Sequence, residues 1–209
     1  MQGSIPVKIG RLAANLCLHP QYVRRCLAHN VFGHKSPADL ELPWFSYAAI
    51  DFLDKYLQPE MTVCEFGSGG STLFFARRVK SVFSIEDNAD WYREISRRLE
   101  RNQIHNAKLK LCPFNFKNPV GFEESDYLNS IPDEKFDVIV VDGSEEWTRV
   151  RAICFKKAET RIKKGGVIVV DDSWRYPEIR ENHSARSYQV FQSVGPCRPG
   201  VTSTDVFFY

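Results

Sequence analysis

The stretch Met61-Thr-Val-Cys-Glu-Phe-Gly-Ser-Gly-Gly-Ser-Thr72 decides how the rest of this chain is read. A short apolar run ends in an acidic residue, Glu65. A glycine-rich turn of Gly67, Ser68, Gly69 and Gly70 follows at once, and an apolar helical pattern begins directly after it. Glycines let a backbone turn sharply and approach a ligand closely, so this order suits a strand edge that delivers a nucleoside-bearing ligand to a helix N-terminus. The next apolar run, Ser81-Val-Phe-Ser-Ile-Glu-Asp87, again ends in carboxylates, and Glu86 stands 19 residues beyond Gly67. An acid at that distance is placed to accept hydrogen bonds from both hydroxyls of a ribose.

Outward from this stretch the chain alternates. The pattern predicts strands over 61–66, 81–86, 108–112, 136–141 and 167–170, with helices over 71–80, 89–102 and 145–162 between them. The runs Val138-Ile-Val-Val141 and Val167-Ile-Val-Val170 do not alternate in polarity, as expected when both faces of a sheet are covered. Alternating strands and helices mean a doubly wound parallel sheet. Two closing runs, 188–194 and 202–209, are joined by Gly195-Pro-Cys-Arg-Pro-Gly200, which is too short for a helical crossover and predicts an antiparallel hairpin. The expected fold class is therefore α/β: a doubly wound, mostly parallel, seven-stranded sheet with a C-terminal antiparallel hairpin. Upstream, Trp44, Tyr47, Phe52 and Tyr56 recur at helical spacing, with Pro43 in the first turn. Two ligand classes fit the geometry of the glycine turn: a dinucleotide and S-adenosylmethionine.

At 209 residues the chain suits one well-buried domain. Its net charge of +2 gives no electrostatic argument for nucleic acid or a membrane, and its apolar runs are far below the roughly 20 residues that cross a bilayer. No apolar signal segment opens the sequence. Of six cysteines, Cys64, Cys112 and Cys154 fall where small buried hydrophobes belong, so reduced thiols and a cytoplasmic setting are expected. The pairs Cys17/His19 and Cys26/His29 match no common zinc spacing. Residues 1–38, with Arg11, His19, Arg24, Arg25, His29 and His34, read as a basic helical leader that packs on the main domain (39–209) or on a partner subunit of a homo-oligomer.

From Leu42 to Tyr209 the residues resemble class I S-adenosylmethionine-dependent methyltransferases. Glu65-Phe-Gly-Ser-Gly-Gly70 is similar to the family's first motif, and Ile85-Glu-Asp87 to the second. Phe136-Asp-Val-Ile-Val-Val-Asp-Gly143 and Gly165-Gly-Val-Ile-Val-Val-Asp-Asp172 resemble its fourth strand and the following Gly-Gly-strand motif. A closing hairpin is usual in its Rossmann-like fold. The third glycine often found in the first motif is Ser71 here. Read as the dehydrogenase pattern the third position is Thr72, which disfavours a dinucleotide because glycine there permits close helix–strand packing.

The resemblance implies a cofactor site formed by Glu65, Gly67, Ser68, Gly69, Gly70, Ser71, Glu86, Asp87, Phe114 and Asp142. In it Glu65 lies near the methionyl amino group and Glu86 holds the ribose. Phe114 either stacks on adenine or packs in the core, and the same choice applies to Trp147. Asp142, Asp171 and Asp172 end neighbouring strands, where ligands of open α/β sheets bind. Two chemistries follow: Mg²⁺ among the carboxylate oxygens activating a substrate hydroxyl, or one aspartate taking the proton directly. His183 is a further candidate proton acceptor, and Arg175, Arg180 and Arg186 are candidate clamps for an anionic group. The expected activity is methyl transfer to oxygen or nitrogen of a small molecule. The alternatives are aminopropyl transfer, for which Asp142-Gly-Ser-Glu145 is a partial match, and cofactor binding without catalysis.

Overall fold

The computed structural model describes residues 5–33 and 35–209; of the expected leader, residues 1–4 and His34 lie outside them. A seven-stranded sheet forms the centre, in the order β3-β2-β1-β4-β5-β7-β6. Its strands are β1 (Thr62–Phe66), β2 (Ser81–Glu86), β3 (Ala107–Leu111), β4 (Phe136–Val141), β5 (Ile162–Asp171), β6 (Ser187–Val194) and β7 (Val201–Phe208). Strands β1 to β5 are parallel, and β7 runs antiparallel to both β5 and β6. The order reverses at β1/β4, which puts a crevice at the carboxyl ends of those strands.

The unpatterned valine and isoleucine runs are buried because successive side chains feed two different cores. Val63, Val82, Val138, Val140, Val167 and Val169 pack under α3 (Tyr47–Tyr56) and α4 (Gly70–Ala76). Cys64, Phe66, Ile139, Val141, Ile168 and Val170 face the opposite way, against α7 (Val150–Glu159) and an aromatic cluster of Phe116, Phe122 and Tyr127. A smaller cluster joins Leu73 of α4 to Ile95 and Leu99 of α5 (Ala89–Arg101). All six cysteines are free, and Cys64, Cys112 and Cys154 are buried.

The leader is helical: α1 (Ile5–Leu18), a 3-10 turn (Pro20–Tyr22), α2 (Val23–Cys26) and a π turn (Leu27–Val31). Tyr22 and Cys26 enter the core beside α3. The Asn30 side-chain amide donates to the Gly195 carbonyl, and the Asn15 side-chain Oδ1 accepts from the Val194 N–H, tying the leader to the β6–β7 hairpin. His29 Nδ1 lies 2.8 Å from the Tyr47 hydroxyl.

The helix expected from Pro43 starts later. Ser46 caps it by accepting from the Ala49 N–H, and its own N–H donates to Thr204. Pro43, Trp44 and Phe45 stay outside the helix, at the end of a strap whose Pro37 and Leu42 carbonyls stand against Gly70 at the N-terminus of α4.

Candidate active site

At the end of β1 the chain turns through Gly67, whose φ of +102° lies where non-glycine residues rarely sit. A Cβ there would meet the Asp142 carbonyl oxygen at 2.7 Å, so glycine lets the β1 and β4 ends close together. Gly70 is as tightly held: a Cβ would stand 2.1 Å from the Leu42 carbonyl oxygen and 2.6 Å from that of Pro37. The strap therefore rests directly on the start of α4.

Beneath the turn, Glu65 is 1% exposed. Its Oε1 accepts from the Thr72 and Ser84 hydroxyls at 2.7 and 2.6 Å, while Oε2 is buried without a partner. Burial raises its pKa against those hydroxyl bonds. The Thr72 hydroxyl also accepts from the Gly69 N–H at 3.1 Å, so the residue that departs from a glycine pattern ties the turn to the acid.

Glu86 reaches the same turn from β2. Its carboxylate accepts from the Ser68 N–H and hydroxyl at 2.9 and 2.6 Å, and from the Asn88 N–H at 2.9 Å. It is 4% exposed, and burial raises its pKa. Trp91 of α5, whose role sequence reasoning missed, lies over the turn and donates from Nε1 to the Ser68 carbonyl. Asp87 is half-buried, with its pKa raised by burial and by Glu146. Phe114 packs edge-on to Phe116 and Phe122 with centroids 5.1 Å from each, and Trp147 packs on Phe122.

A cavity of about 760 Å³ opens at the strand ends, within the usual range for small-molecule sites. Its lining brings together Gly69, Ser71, Asp142, Asp171 and Asp172, with Trp44, Trp91 and Trp174 as aromatic walls. Asp171 and Asp172 differ although adjacent. Asp171 is the last residue of β5, opposite Thr204, whose hydroxyl donates to it at 2.6 Å. Asp172 takes the left-handed conformation, φ +47°, and its carboxylate accepts from Thr202 at 2.7 Å.

Two arginines serve the three carboxylates. Arg151 of α7 is 3% exposed. It donates to the Asp171 carbonyl at 2.7 Å and the Gly143 carbonyl at 2.9 Å, and forms an ion pair with the Asp142 carboxylate at 3.1 Å. Arg198, on the hairpin turn, contacts Asp172 at 3.2 Å and Asp171 at 3.4 Å, donates to the Trp44 carbonyl and lies over the Trp44 ring. The cationic positions around the acids are thus filled by guanidinium groups, and this donor set does not fit Mg²⁺. Among the described residues no group of three or more His, Cys, Asp and Glu side chains is arranged to hold a metal ion.

Charge sorts the trio. Burial, then the nearby Asp142 charge, pushes Asp171 up to about 8, so it is mostly protonated at neutral pH. Arg198 and the Thr202 hydroxyl hold Asp172 down at about 2 against its burial. Asp142, the most exposed of the three with 24% of its side chain open, is pushed up to about 6 by desolvation despite Arg151.

His183 is not brought to this cavity. It packs against Tyr188 and Phe207, and Phe207 pairs with Ile168, three residues up β5 from Asp171, about 10 Å at the usual strand rise. The clamp candidates also have other partners. Arg180 grips the buried Asp205 at 2.6 and 3.1 Å, Arg186 binds the Tyr209 carbonyl, and Arg175 pairs with Glu145 at 2.5 Å. Of the three only Arg175 lines the cavity. Glu145, the second acid of the partial aminopropyl-transfer pattern, is held between Arg175 and Arg151.

The sequence profile described as "Methyltransferase domain" matches residues 64–173, and the chain belongs to that family. No curated protein sequence matches it significantly. Among solved structures it is similar to a Klebsiella pneumoniae protein provisionally described as an O-methyltransferase: 15% identity, 97% of this chain and 98% of that one, TM-score 0.62. A Streptococcus mutans protein, provisionally described as a methyltransferase and solved with S-adenosylhomocysteine, aligns over 85% of this chain and all (100%) of its own at 14% identity and TM-score 0.57. An rRNA methylase from Streptococcus thermophilus aligns over 84% and 98% at 17% identity and TM-score 0.56.

The chain is an S-adenosylmethionine-dependent methyltransferase. Its first turn fits the cofactor by the close Gly67 and Gly70 approaches and by a buried acid with one oxygen unserved. When bound, that cofactor supplies an electrophilic sulfonium methyl group.

Proposed function

We propose that the chain transfers the methyl group to an oxygen or nitrogen of a small-molecule acceptor seated in the 760 Å³ cavity, with Asp142 taking the acceptor's proton. The observation that carries this reading is the position of Asp142. It stands against the glycine turn, its side chain is open to the cavity, and neither threonine nor Arg198 claims it. A carboxylate with a pKa near 6 is ionised at neutral pH yet basic enough to accept a proton.

In this reading Gly67, Ser68, Gly69, Gly70 and Ser71 cradle the cofactor, and Glu65 faces its amino group. Glu86 exchanges its Ser68 hydroxyl for ribose hydroxyls. Asp171 is protonated and holds Thr204 and Arg198 in place. Asp172, fixed as an anion, orients Trp174 through its Nε1–H. The indole walls of Trp44 and Trp174 suit a flat or apolar acceptor body, and a walled cavity suits a small molecule better than a long polymer.

The test is an acceptor screen with radiolabelled S-adenosylmethionine. Asp142→Asn should lower turnover about 100-fold or more on any acceptor found, and wild-type turnover should fall as pH drops below about 6. Full activity in Asp142→Asn would remove Asp142 from the chemistry, and turnover on RNA alone would replace the acceptor class.

A further inference from the structure

The cofactor turn lies inside residues 64–173, the region that matches the family profile, but much of the cavity wall does not. Arg11, Trp44, Trp174, Arg175 and Arg198 line the cavity from outside that region. The leader reaches this wall through α1. Leu12 and Leu16 pack against the core, and the Asn15 side chain accepts from the Val194 N–H at 3.2 Å. Arg11 stands one helical turn before Asn15, on the same face, and its exposed side chain lines the cavity. A guanidinium carries five donors in a planar fork, so it can serve a ligand as well as neighbours in the protein.

Charge is distributed unevenly through the cavity. Four arginines and four acids line it. On the buried side Arg151 and Arg198 are paired with Asp142, Asp171 and Asp172. Of these acids Asp171, pushed up to about 8, is mostly protonated at neutral pH. The more exposed side holds Arg11 and Arg175 against a single acid, Glu145, which Arg151 shares. Arginines therefore exceed ionised acids by about one, with the excess on the exposed side. A bound cofactor adds its sulfonium charge next to the acceptor. An anionic acceptor compensates this field, whereas a neutral or cationic one leaves it uncompensated. Trp44 supplies the apolar part of the wall: its ring, 50% exposed and backed by the Arg198 guanidinium at 5.2 Å, offers the cavity a flat, rigid surface.

We propose that the acceptor is a planar small molecule carrying a carboxylate or phosphate, with its ring along Trp44 and its anionic group held by Arg11. The leader helix is then the element that selects the acceptor. This inference rests on the small-molecule reading above and narrows it to one chemical class.

The test titrates benzoate, phenyl phosphate, benzamide and benzylamine into the full chain saturated with S-adenosylhomocysteine, read by ligand-observed NMR. At least one anion should bind about tenfold or more tightly than benzamide and benzylamine, and the tighter of the two names the group. Arg11→Gln should lose about tenfold in that anion's affinity and nothing in benzamide's, which shows the cavity intact. Arg11→Lys, which keeps the charge without the planar fork, should fall between. Three results would each overturn the inference: benzamide or benzylamine binding as tightly as both anions, binding of none of the four, or an Arg11→Gln variant that keeps the anion preference or weakens benzamide equally. These titrations read binding alone. Failure of the small-molecule reading shows itself separately, as turnover on RNA alone in the acceptor screen.

Discussion

Replacing Arg151 with methionine removes the group that ties the ends of β4 and β5 together. The guanidinium serves two main-chain carbonyls, Gly143 at 2.9 Å and Asp171 at 2.7 Å, and the Asp142 carboxylate at 3.1 Å, from a site 3% exposed. Methionine fills much of the volume but donates nothing, leaving these acceptors unserved. Breaking a buried charged pair costs about 3–5 kcal/mol, and the partial exposure of Asp142 places this case near 3–4 kcal/mol. Against a typical total of about 5–15 kcal/mol, that is a large fraction. For a domain of 209 residues it corresponds to a Tm lower by roughly 6–16 °C. Urea unfolding of the two proteins, compared at equal m-value, reads the difference directly. Arg151→Lys, which keeps the charge but loses the planar fork, should fall between them. A loss under about 1 kcal/mol for Arg151→Met would refute the view that this arginine holds the acid cluster together.

Three further outcomes follow from the geometry. Gly70→Ala should cost about 1–3 kcal/mol and weaken cofactor binding, because its Cβ would collide with the Leu42 and Pro37 carbonyls; unchanged urea midpoints would contradict the packing of the strap. Gly10→Ala, in α1 with no atom within 4 Å of a new Cβ, should stabilise by about 0.5–1 kcal/mol in the same assay, and a destabilised variant would place Gly10 outside a regular helix. For Asp171, the unfolded carboxyl loses its proton near pH 4 and the folded one near 8. The folded state binds more protons between those values, so this group's contribution makes stability fall as pH rises through that window. Asp171→Asn should flatten the slope of urea midpoint against pH from 5 to 8, and an unaltered slope would exclude a raised Asp171.

The sequence made the sheet legible because its strands carry a strong local signal. Strands 81–86 and 136–141 match the structure residue for residue, and the hairpin ends shift by one position. Where tertiary contacts override local pattern, prediction failed. The helix expected over 145–162 spans only Val150–Glu159, because residues 143–149 are drawn into the site by Arg151 contacts to Gly143 and Glu145. Lys163 to Gly166, expected to end that helix, instead lie in β5 next to an irregularity in its pairing with β4, where Gly165 has φ +85° and Lys163 pairs with Asp137.

The candidate site was half legible. Acids at strand ends announce themselves, and Asp142, Asp171 and Asp172 do meet at the cavity. His183 had only its residue type to recommend it, and it packs against Tyr188 and Phe207 after α8 (Pro177–Glu181) rather than at the cavity. Arg198 was missed because nothing in the sequence marks a turn arginine that will reach two carboxylates, and Arg151 was missed although its place on a helix offered a signal. A basic residue that lies on the apolar side of a predicted helix was the one available signal for Arg151, which neighbours Val150 and Cys154. Trp91 carried no signal before the α5 register was known.

The most direct test of the account is calorimetric titration of S-adenosylhomocysteine into the wild-type protein and into Glu86→Gln. The account predicts saturable one-to-one binding by the wild type. Glu86→Gln should bind about 10- to 100-fold more weakly, the worth of hydrogen bonds to a charged acceptor. No heat of binding in the wild type, or equal affinity in the two proteins, would contradict the placement of the cofactor at the Gly67–Ser71 turn beneath Glu86.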